Sequence, residues 1–415
     1  MAACDLGFGV LDSAMVETMM YVVSAEAYNE TRRSIFIRAV DKSDKARWIS
    51  NSVASVNSGS VLDKNTWIRS VSDFSSLPAF PICYWVSDNF IELFERIKSF
   101  SPSYGHVYQG IATGDNFRFL RCGWEVGHNN GYNKLWVPYA KGGESEKWVS
   151  DLSLRINWLC DGAEIKENAR ACYGSASRTV KNEDVFFKEG ITYTQVTVKG
   201  FFSRALPKGC VFDMKGPSVQ VSGNPYVALG VFASMPFSAM ARIVTDSRQW
   251  HPTSIMRLPF PEINAQDREL LVKLVKSMVL EVRKKHQIDE RSNFFVTPFV
   301  GSPDAECIQR WQHSIDEIVS EAYGVGLQEF VDLNNVFASI VDDEEALDEG
   351  DSSLQISDQS VLVLSYSVGV AIGRFDWRLA TGEREIPPGP DPFDPLPAKS
   401  PGMLSTGDEP YHRHA

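Results

Sequence analysis

The chain has 415 residues, 43% of them hydrophobic, and a formal net charge of −12. That length admits two or three domains with real cores, and the acidic balance leaves any contact with a polyanion to a locally basic stretch. No basic segment followed by an apolar run opens the chain, and no apolar run is long enough to span a bilayer, so a soluble, cytoplasmic protein with no membrane contact is expected. Cys4, Cys83, Cys122, Cys160, Cys172, Cys210 and Cys307 are widely spaced with no Cys-x-x-Cys pair, which favours reduced thiols over disulfides or zinc ligands.

Patterning along the chain predicts a mixed α/β (α+β) protein. In residues 1–40, Phe8-Gly-Val-Leu, Val16 to Val23 and Ser34 to Val40 read as paired strands, with Ala25 to Arg33 as the turn. Residues 41–103 read as a helical connector, since Phe90, Leu93, Phe94 and Ile97 fit one helix face and Pro78, Pro81 and Pro102 punctuate the rest. Residues 104–261 are dense in glycine and aromatics, which suits a β-rich module of short strands and shaped turns. Near its end, Tyr226 to Ser234 reads as a buried helical segment, and Pro259 and Pro261 close the unit.

Residues 262–340 are helical. Asn264 is the candidate N-cap of a helix carrying Leu270, Leu271, Leu274, Val275, Met278, Val279 and Val282, and Arg283, Lys284 and Lys285 crowd its end. Those cations either touch DNA or favour the helix terminus electrostatically, and the second account is preferred. Another helix begins near Ser302-Pro303-Asp304, carries Trp311, Ile315, Ile318 and Val319, and stops at Gly324. Residues 341–415 comprise an acidic run, Asp342 to Asp351, expected as a solvated joint, and a proline-rich extension from Ile386. His412 and His414 supply too few ligands for a metal site.

The central stretch carries the functional expectation. Over residues 104–215, Lys and Arg less Asp and Glu gives 15 − 12 = +3, so positive charge is placed locally within an acidic chain. Thr113-Gly114-Asp115-Asn116 is a turn signal. Its backbone amides, with Arg118 and Arg121 beside it, suit phosphate contacts, although a purely structural turn explains the same residues. Lys141-Gly142-Gly143-Glu144 reads as a second turn through which a backbone can pass closely. Trp136, Tyr139 and Trp148 around it are more often core than platform.

Gly-x-x-Thr-Gly-Asp-Asn-x-x-Phe-Leu-Arg from Gly110 and Trp-x-Pro-Tyr-x-Lys-Gly-Gly-Glu from Trp136 resemble the large adenine-specific DNA methyltransferases of BREX phage defence and related type II restriction-modification enzymes. Asn157-Trp158, Asp161-Gly162, Ile165-Lys166, Ser177-Arg178 with Asn182, Phe186-Phe187-Lys188, Phe202-Ser203-Arg204 and Leu258 to Pro261 continue the resemblance in the same order. Gly369 to Trp377 and Pro392 to Leu396 extend it nearly to the end. The resemblance implies that the middle of the chain is a target-recognition domain for double-stranded DNA. Its candidate DNA-binding residues are Thr113, Asp115, Asn116, Arg118, Arg121, Lys141, Arg178, Lys188 and Arg204. Arg178 and Arg204, late in the module and away from the glycine turns, are the first choices for base reading. The resemblance also makes residues 1–40 a remnant of the catalytic domain, the hairpin closing a methyltransferase sheet.

Two features of such enzymes are missing in their expected form: the glycine-rich loop for S-adenosylmethionine and an Asn/Asp-Pro-Pro-Tyr/Phe motif for the flipped adenine. Asp5-Leu-Gly-Phe-Gly9 mimics the first without a strand before it and a glycine-terminated helix after it, and a lone glycine motif is weak. Asn224-Pro225-Tyr226 mimics the second with one proline short, and a turn after Gly223 explains it. The expectation is therefore a fragment or one half of a split gene, with no catalytic residue and no cofactor in this chain. S-adenosylmethionine would belong to the complete enzyme, and the partners would be an upstream methyltransferase domain or subunit and other defence-system proteins. The alternatives are a stand-alone, non-catalytic DNA specificity or interaction subunit and a small self-contained methyltransferase using Asp5 to Gly9 and Asn224 to Tyr226.

Overall fold

The computed structural model describes residues 1–11, 16–25, 32–126, 135–142, 146–197, 200–245, 249–345 and 359–411, with the backbone alone over 337–345. The chain divides into two units, Met1–Arg96 and Ile97–Ala415.

In the first unit, strands β1 (Ala2–Gly7), β2 (Thr18–Val22), β3 (Arg33–Arg38) and β4 (Thr66–Ser70) form a sheet in the order β2-β1-β3-β4, with α1 (Lys45–Ser58) between the last two in sequence. The segments expected to pair with each other instead flank β1, β2 antiparallel to it and β3 parallel. Ala2–Gly7 contains no β-branched or aromatic residue, so it carries no strand signal of its own. It becomes a strand because Cys4, in register with Ile37 and 3% exposed, joins the apolar face covered by Trp48 and Ile49 of α1. Phe8 to Leu11, expected as a strand, bends, and most of the expected turn, 26–31, lies outside the described residues.

The opposite face packs Phe36 on Tyr84, with ring centroids 5.2 Å apart and nearly parallel planes. Residues 41–96 thus fold with residues 1–40, β4 pairing antiparallel with β3, where a helical connector was expected. Helix α2 (Asp88–Arg96) does bury Phe90 and Leu93, together with Ile91. Met20, Tyr21 and Val22 of edge strand β2 are half to two-thirds exposed, an apolar edge of the kind that invites a further strand.

The second unit begins with α3 (Phe100–Ser103), β5 (Gly105–Tyr108), α4 (Asn116–Phe119), β6 (Leu120–Cys122), β7 (Trp136–Ala140), β8 (Leu154–Asn157) and α5 (Leu159–Tyr173). Strands β9 (Gly190–Tyr193), β10 (Ser203–Leu206), β11 (Val211–Phe212) and β12 (Ser218–Val221) follow. One sheet, β10-β9-β12-β5, is antiparallel throughout, and the other, β11-β7-β8-β6, has a single parallel pair, β11 with β7. Ile111, Val137, Ile156, Trp158, Phe186 and Phe212 lie at the centre of the core around the second sheet.

A helical layer completes this unit: α6 (Pro225–Phe232), α7 (Met235–Val244), α8 (Pro252–Met256), α9 (Ala265–Gln287), α10 (Ala305–Tyr323) and α11 (Leu327–Glu345). Asn264 caps α9 by accepting from the Asp267 amide at 2.9 Å, and Leu271, Val275, Met278 and Val279 are its buried face. Asp304 caps α10, and Gly324, left-handed at φ 73°, ends it. Helix α6 is apolar on all sides and packs on α9 so closely that a Cβ on Gly230 would lie 2.8 Å from Leu271 Cδ1. Helices α6 and α7 meet at a 64° bend, and among the described residues no single helix is long and apolar enough to cross a membrane.

The start of the acidic run, Asp342 to Glu345, ends α11 as helix rather than forming a loop, and the remainder lies outside the described residues, as do His412 and His414. The tail adds α12 (Gln359–Ala371) and α13 (Arg378–Thr381), then lies extended against the unit. Phe393 O accepts the Lys208 amide at 2.9 Å, and Pro390 O accepts Arg283 Nη1 at 2.8 Å. The cations at the end of α9 are accordingly committed inside the fold: Arg283 is buried under the tail, Lys284 pairs with Glu281 at 2.8 Å and Lys285 with Glu146. The cysteines are all free, and burial pushes Cys83 and Cys210 up to about 12.

Candidate nucleic-acid interface

The Thr113-Gly114-Asp115-Asn116 turn is built as its residues dictate. Gly114 takes φ 71°, Asp115 caps α4 by accepting from the Arg118 amide at 3.0 Å, and the buried Thr113 hydroxyl donates to Asn116 Oδ1. Two further segments lie beside this turn. The Ala112 amide donates to Thr179 O at 2.8 Å and Asn182 Nδ2 to Gln109 O at 2.8 Å, while Gly114 faces Asn168 and Tyr173 of α5. The turn, the last turns of α5 and residues 175–182 therefore form one surface.

Its cations fall into two groups. Arg118 is held by Glu164 of α5, Nη2 to Oε1 at 2.6 Å, and Arg121 Nη1 donates to the carbonyls of Phe117 and Leu120 while its guanidinium lies 5.4 Å from the Trp136 ring. The Arg118 pair is half-exposed and worth at most about 1 kcal/mol, so an incoming phosphate can displace the carboxylate. Arg170 and Arg178, and Lys188 beyond this surface, are exposed and have no carboxylate partner among the described residues. Lys188 follows Phe187, which sits at φ 68° with its amide donating to Cys210 O at 2.9 Å.

Two expected readers are differently placed. Arg204 is 1% exposed, and its guanidinium donates to Thr194 Oγ1 at 3.1 Å and to Lys141 O at 3.4 Å. Strand β10 carries it inside the module, so it holds the Lys141 turn and does not present itself to a ligand. Lys141 is half-buried, and Gly142 lets the backbone pass Lys215, since a Cβ there would stand 2.0 Å from Lys215 O. Gly143 and Glu144 lie outside the described residues.

Phe117, Arg170 and Tyr173 escaped sequence reading. Phe117 is 94% exposed between the Asp115 cap and Arg118. The signal was available: positions 117 and 119 of a helix lie about 200° apart, so the fully buried Phe119 turns Phe117 outward. Trp124, 62% exposed, and Tyr173, 47% exposed, add aromatic surface to the same module.

The two motifs that mimic methyltransferase chemistry have other uses. Asp5 lies within β1, Tyr84 donates to its carboxylate at 3.0 Å, and the next element among the described residues after Gly9 is strand β2. The strand that sequence reading found lacking is therefore present as β1, whereas no helix follows the glycines among the described residues. Asn224 caps α6 by accepting from the Tyr226 amide at 2.9 Å, Pro225 is the first helical residue, and the Tyr226 hydroxyl donates to Asp391. Asn224-Pro225-Tyr226 is thus a helix start.

No family model matches the chain. It is 24% identical over 332 residues, 73% of its length, to adenine-specific methyltransferase PglX of Lacticaseibacillus casei (strain Zhang), covering 27% of that protein. It is 27% identical over 230 residues, 54% of its length, to adenine-specific methyltransferase BrxX of Escherichia coli O9:H4 (strain HS), covering 17% of it. The chain is therefore related in sequence to these adenine-specific methyltransferases, and it spans under a third of either one. Among solved structures, the type IIL restriction-modification enzyme MmeI in complex with DNA is similar over 59% of this chain and 36% of that one, at a TM-score of 0.41 and 13% identity.

Proposed function

We propose that this chain carries DNA sequence recognition for a site-specific adenine-N6 methyltransferase of a phage-defence or restriction-modification system, with methyl transfer performed by a catalytic domain or subunit outside it. The observation that carries this reading is the surface made by the 113–118 turn, the end of α5 and residues 175–182. It gathers Arg118, Arg121, Arg170 and Arg178 around the exposed rings of Phe117 and Tyr173, in a chain of net charge −12. Cations at turns grip phosphates and reach base edges, and exposed rings stack on bases or wedge between base steps. The sequence relation to adenine-specific methyltransferases supports the same reading. The exposed apolar edge of β2 favours a protein partner.

Roles within the surface follow from how each cation is held. Arg118 and Arg121 are braced at the turn and suit phosphates, whereas Arg178 is exposed without a carboxylate partner among the described residues and suits base reading. Removing a bidentate arginine-to-guanine interaction costs roughly 1 to 3 kcal/mol at one position of the site. Arg178→Ala is therefore expected to relax the recognised motif at one base pair, while Arg118→Ala weakens all sequences alike. The test is methylome sequencing of a host carrying this chain with its catalytic partner. An unchanged motif and methylation level in both variants would remove these residues from the interface.

A further inference from the structure

A separate cleft of about 370 Å³ lies where Trp124 faces the loop after α9 and two stretches of the tail. Its lining includes Arg291, Arg374, Lys399, Ser400 and one carboxylate, Glu290, so its charge is 3 − 1 = +2. Arg374, Lys399 and Ser400 are only partly satisfied, whereas Arg291 and Glu290 are engaged. Arg291 is tied to Asp289 at 2.8 Å, but Arg374 rests over the Phe375 ring at 4.9 Å with no carboxylate partner among the described residues. Among the described residues Lys399 reaches only the Thr406 hydroxyl, at 3.4 Å, and the buried Ser400 hydroxyl has no hydrogen-bond partner. Glu290 is engaged by Ser365. The indole of Trp124 stands 62% exposed at the edge of this positive field.

Arg291, Arg374 and Lys399 are exposed and stay hydrated without an occupant, so what points to a ligand is their convergence on one cleft with an open indole face and a buried hydroxyl that lacks a partner among the described residues. A ligand that satisfies all of them carries anionic oxygens and a planar ring, and the volume fits a small-molecule-sized group rather than a lone ion. We infer that the cleft binds a nucleotide unit, its phosphate held by Arg374, Lys399 and the Ser400 hydroxyl and its base stacked on Trp124. The unit is either part of the bound DNA strand, which rests on the DNA-recognition reading above, or a free nucleotide.

The test uses the full chain in four forms: wild type, Arg374→Ala with Lys399→Ala, Trp124→Phe, and Arg178→Ala with Lys188→Ala. Circular dichroism and the unfolding midpoint serve as the check of folding. Binding of a labelled short duplex is measured against salt, and quenching of tryptophan fluorescence is measured with deoxyadenosine 5′-monophosphate. For a strand-borne nucleotide, the Arg374 and Lys399 variant should bind duplex about tenfold more weakly, with a salt slope smaller by about 0.9 for each phosphate that is no longer neutralised. If that variant and wild type bind duplex alike while the Arg178 and Lys188 variant is weakened, DNA recognition stands and a strand-borne occupant is excluded. The mononucleotide then decides: quenching that disappears in both the Trp124→Phe and Arg374/Lys399 forms supports a free-nucleotide site, and its absence overturns the inference. If wild type binds no duplex, the DNA reading fails, and the same mononucleotide measurement decides the cleft by itself.

Discussion

Replacing Gly110 with alanine is expected to destabilise the second unit by at least about 3 kcal/mol, the top of the usual overpacking range. Gly110 opens the motif containing the turn, and a Cβ there would stand 1.8 Å from the carbonyl oxygen of Phe212. That oxygen also accepts the Ile111 amide at 2.9 Å, so β11 cannot retreat without giving up the bond that ties residue 111 to the strand. The obstruction is backbone, not a flexible side chain that can swing away. Gly114, four residues on, provides the contrast. Its φ of 71° strains alanine, but the nearest atom to a new Cβ is 3.7 Å away, so Gly114→Ala should cost only about 1 kcal/mol. Chemical denaturation of the two variants side by side measures the difference, and equal midpoints would refute the close-approach explanation.

Asp376→Ala should be nearly as damaging, at roughly 3 kcal/mol, the lower end for removing one partner of a buried ion pair. Asp376 is fully buried, accepts from Arg378 at 2.8 Å and from Arg384 at 2.6 Å, and Asp408 joins through Arg378. The lower end applies because both arginines remain about a third exposed and can be rehydrated. Burial alone would push the Asp376 carboxyl up, but hydrogen bonds from Arg378 and Arg384 outweigh it and hold it at about 2. Its pKa is thus depressed relative to about 3.9 in an unfolded chain. The stabilisation is complete above about pH 4 and is lost as pH falls towards 2. Unfolding midpoints across that window should converge for wild type and Asp376→Ala, and a constant gap between them would contradict the assignment.

Where local chemistry sets structure, the sequence was legible. Asn264 and Asp304 announce helices α9 and α10 through their caps, Gly324 ends α10 in the left-handed region, and the stripe through Leu271, Val275 and Met278 is the buried face. Strand β1 was not legible, because Ala2–Gly7 is made a strand by β2 and β3 on either side and not by its own composition. The candidate surface divides in the same way. The 113–118 turn was readable from Gly, Asp and Asn, whereas the fate of an arginine depends on which face of a strand it occupies. Arg204 and Arg178 look alike in sequence, yet β10 buries one and the turn after α5 exposes the other. The outward ring of Phe117 followed from helical geometry once Phe119 was known to be core.

The central claim is that an acidic chain presents a local surface for duplex DNA, and binding of the purified full chain to duplex across a salt series tests it most directly. The account predicts that the logarithm of the affinity falls linearly with the logarithm of salt concentration, by about 0.9 for each phosphate neutralised. Replacing Arg118, Arg121, Arg178 and Lys188 together with alanine should flatten that line by several units while leaving the folded state intact. A folded wild-type chain that binds no duplex at low salt, or a fourfold variant with wild-type affinity and slope, would contradict it.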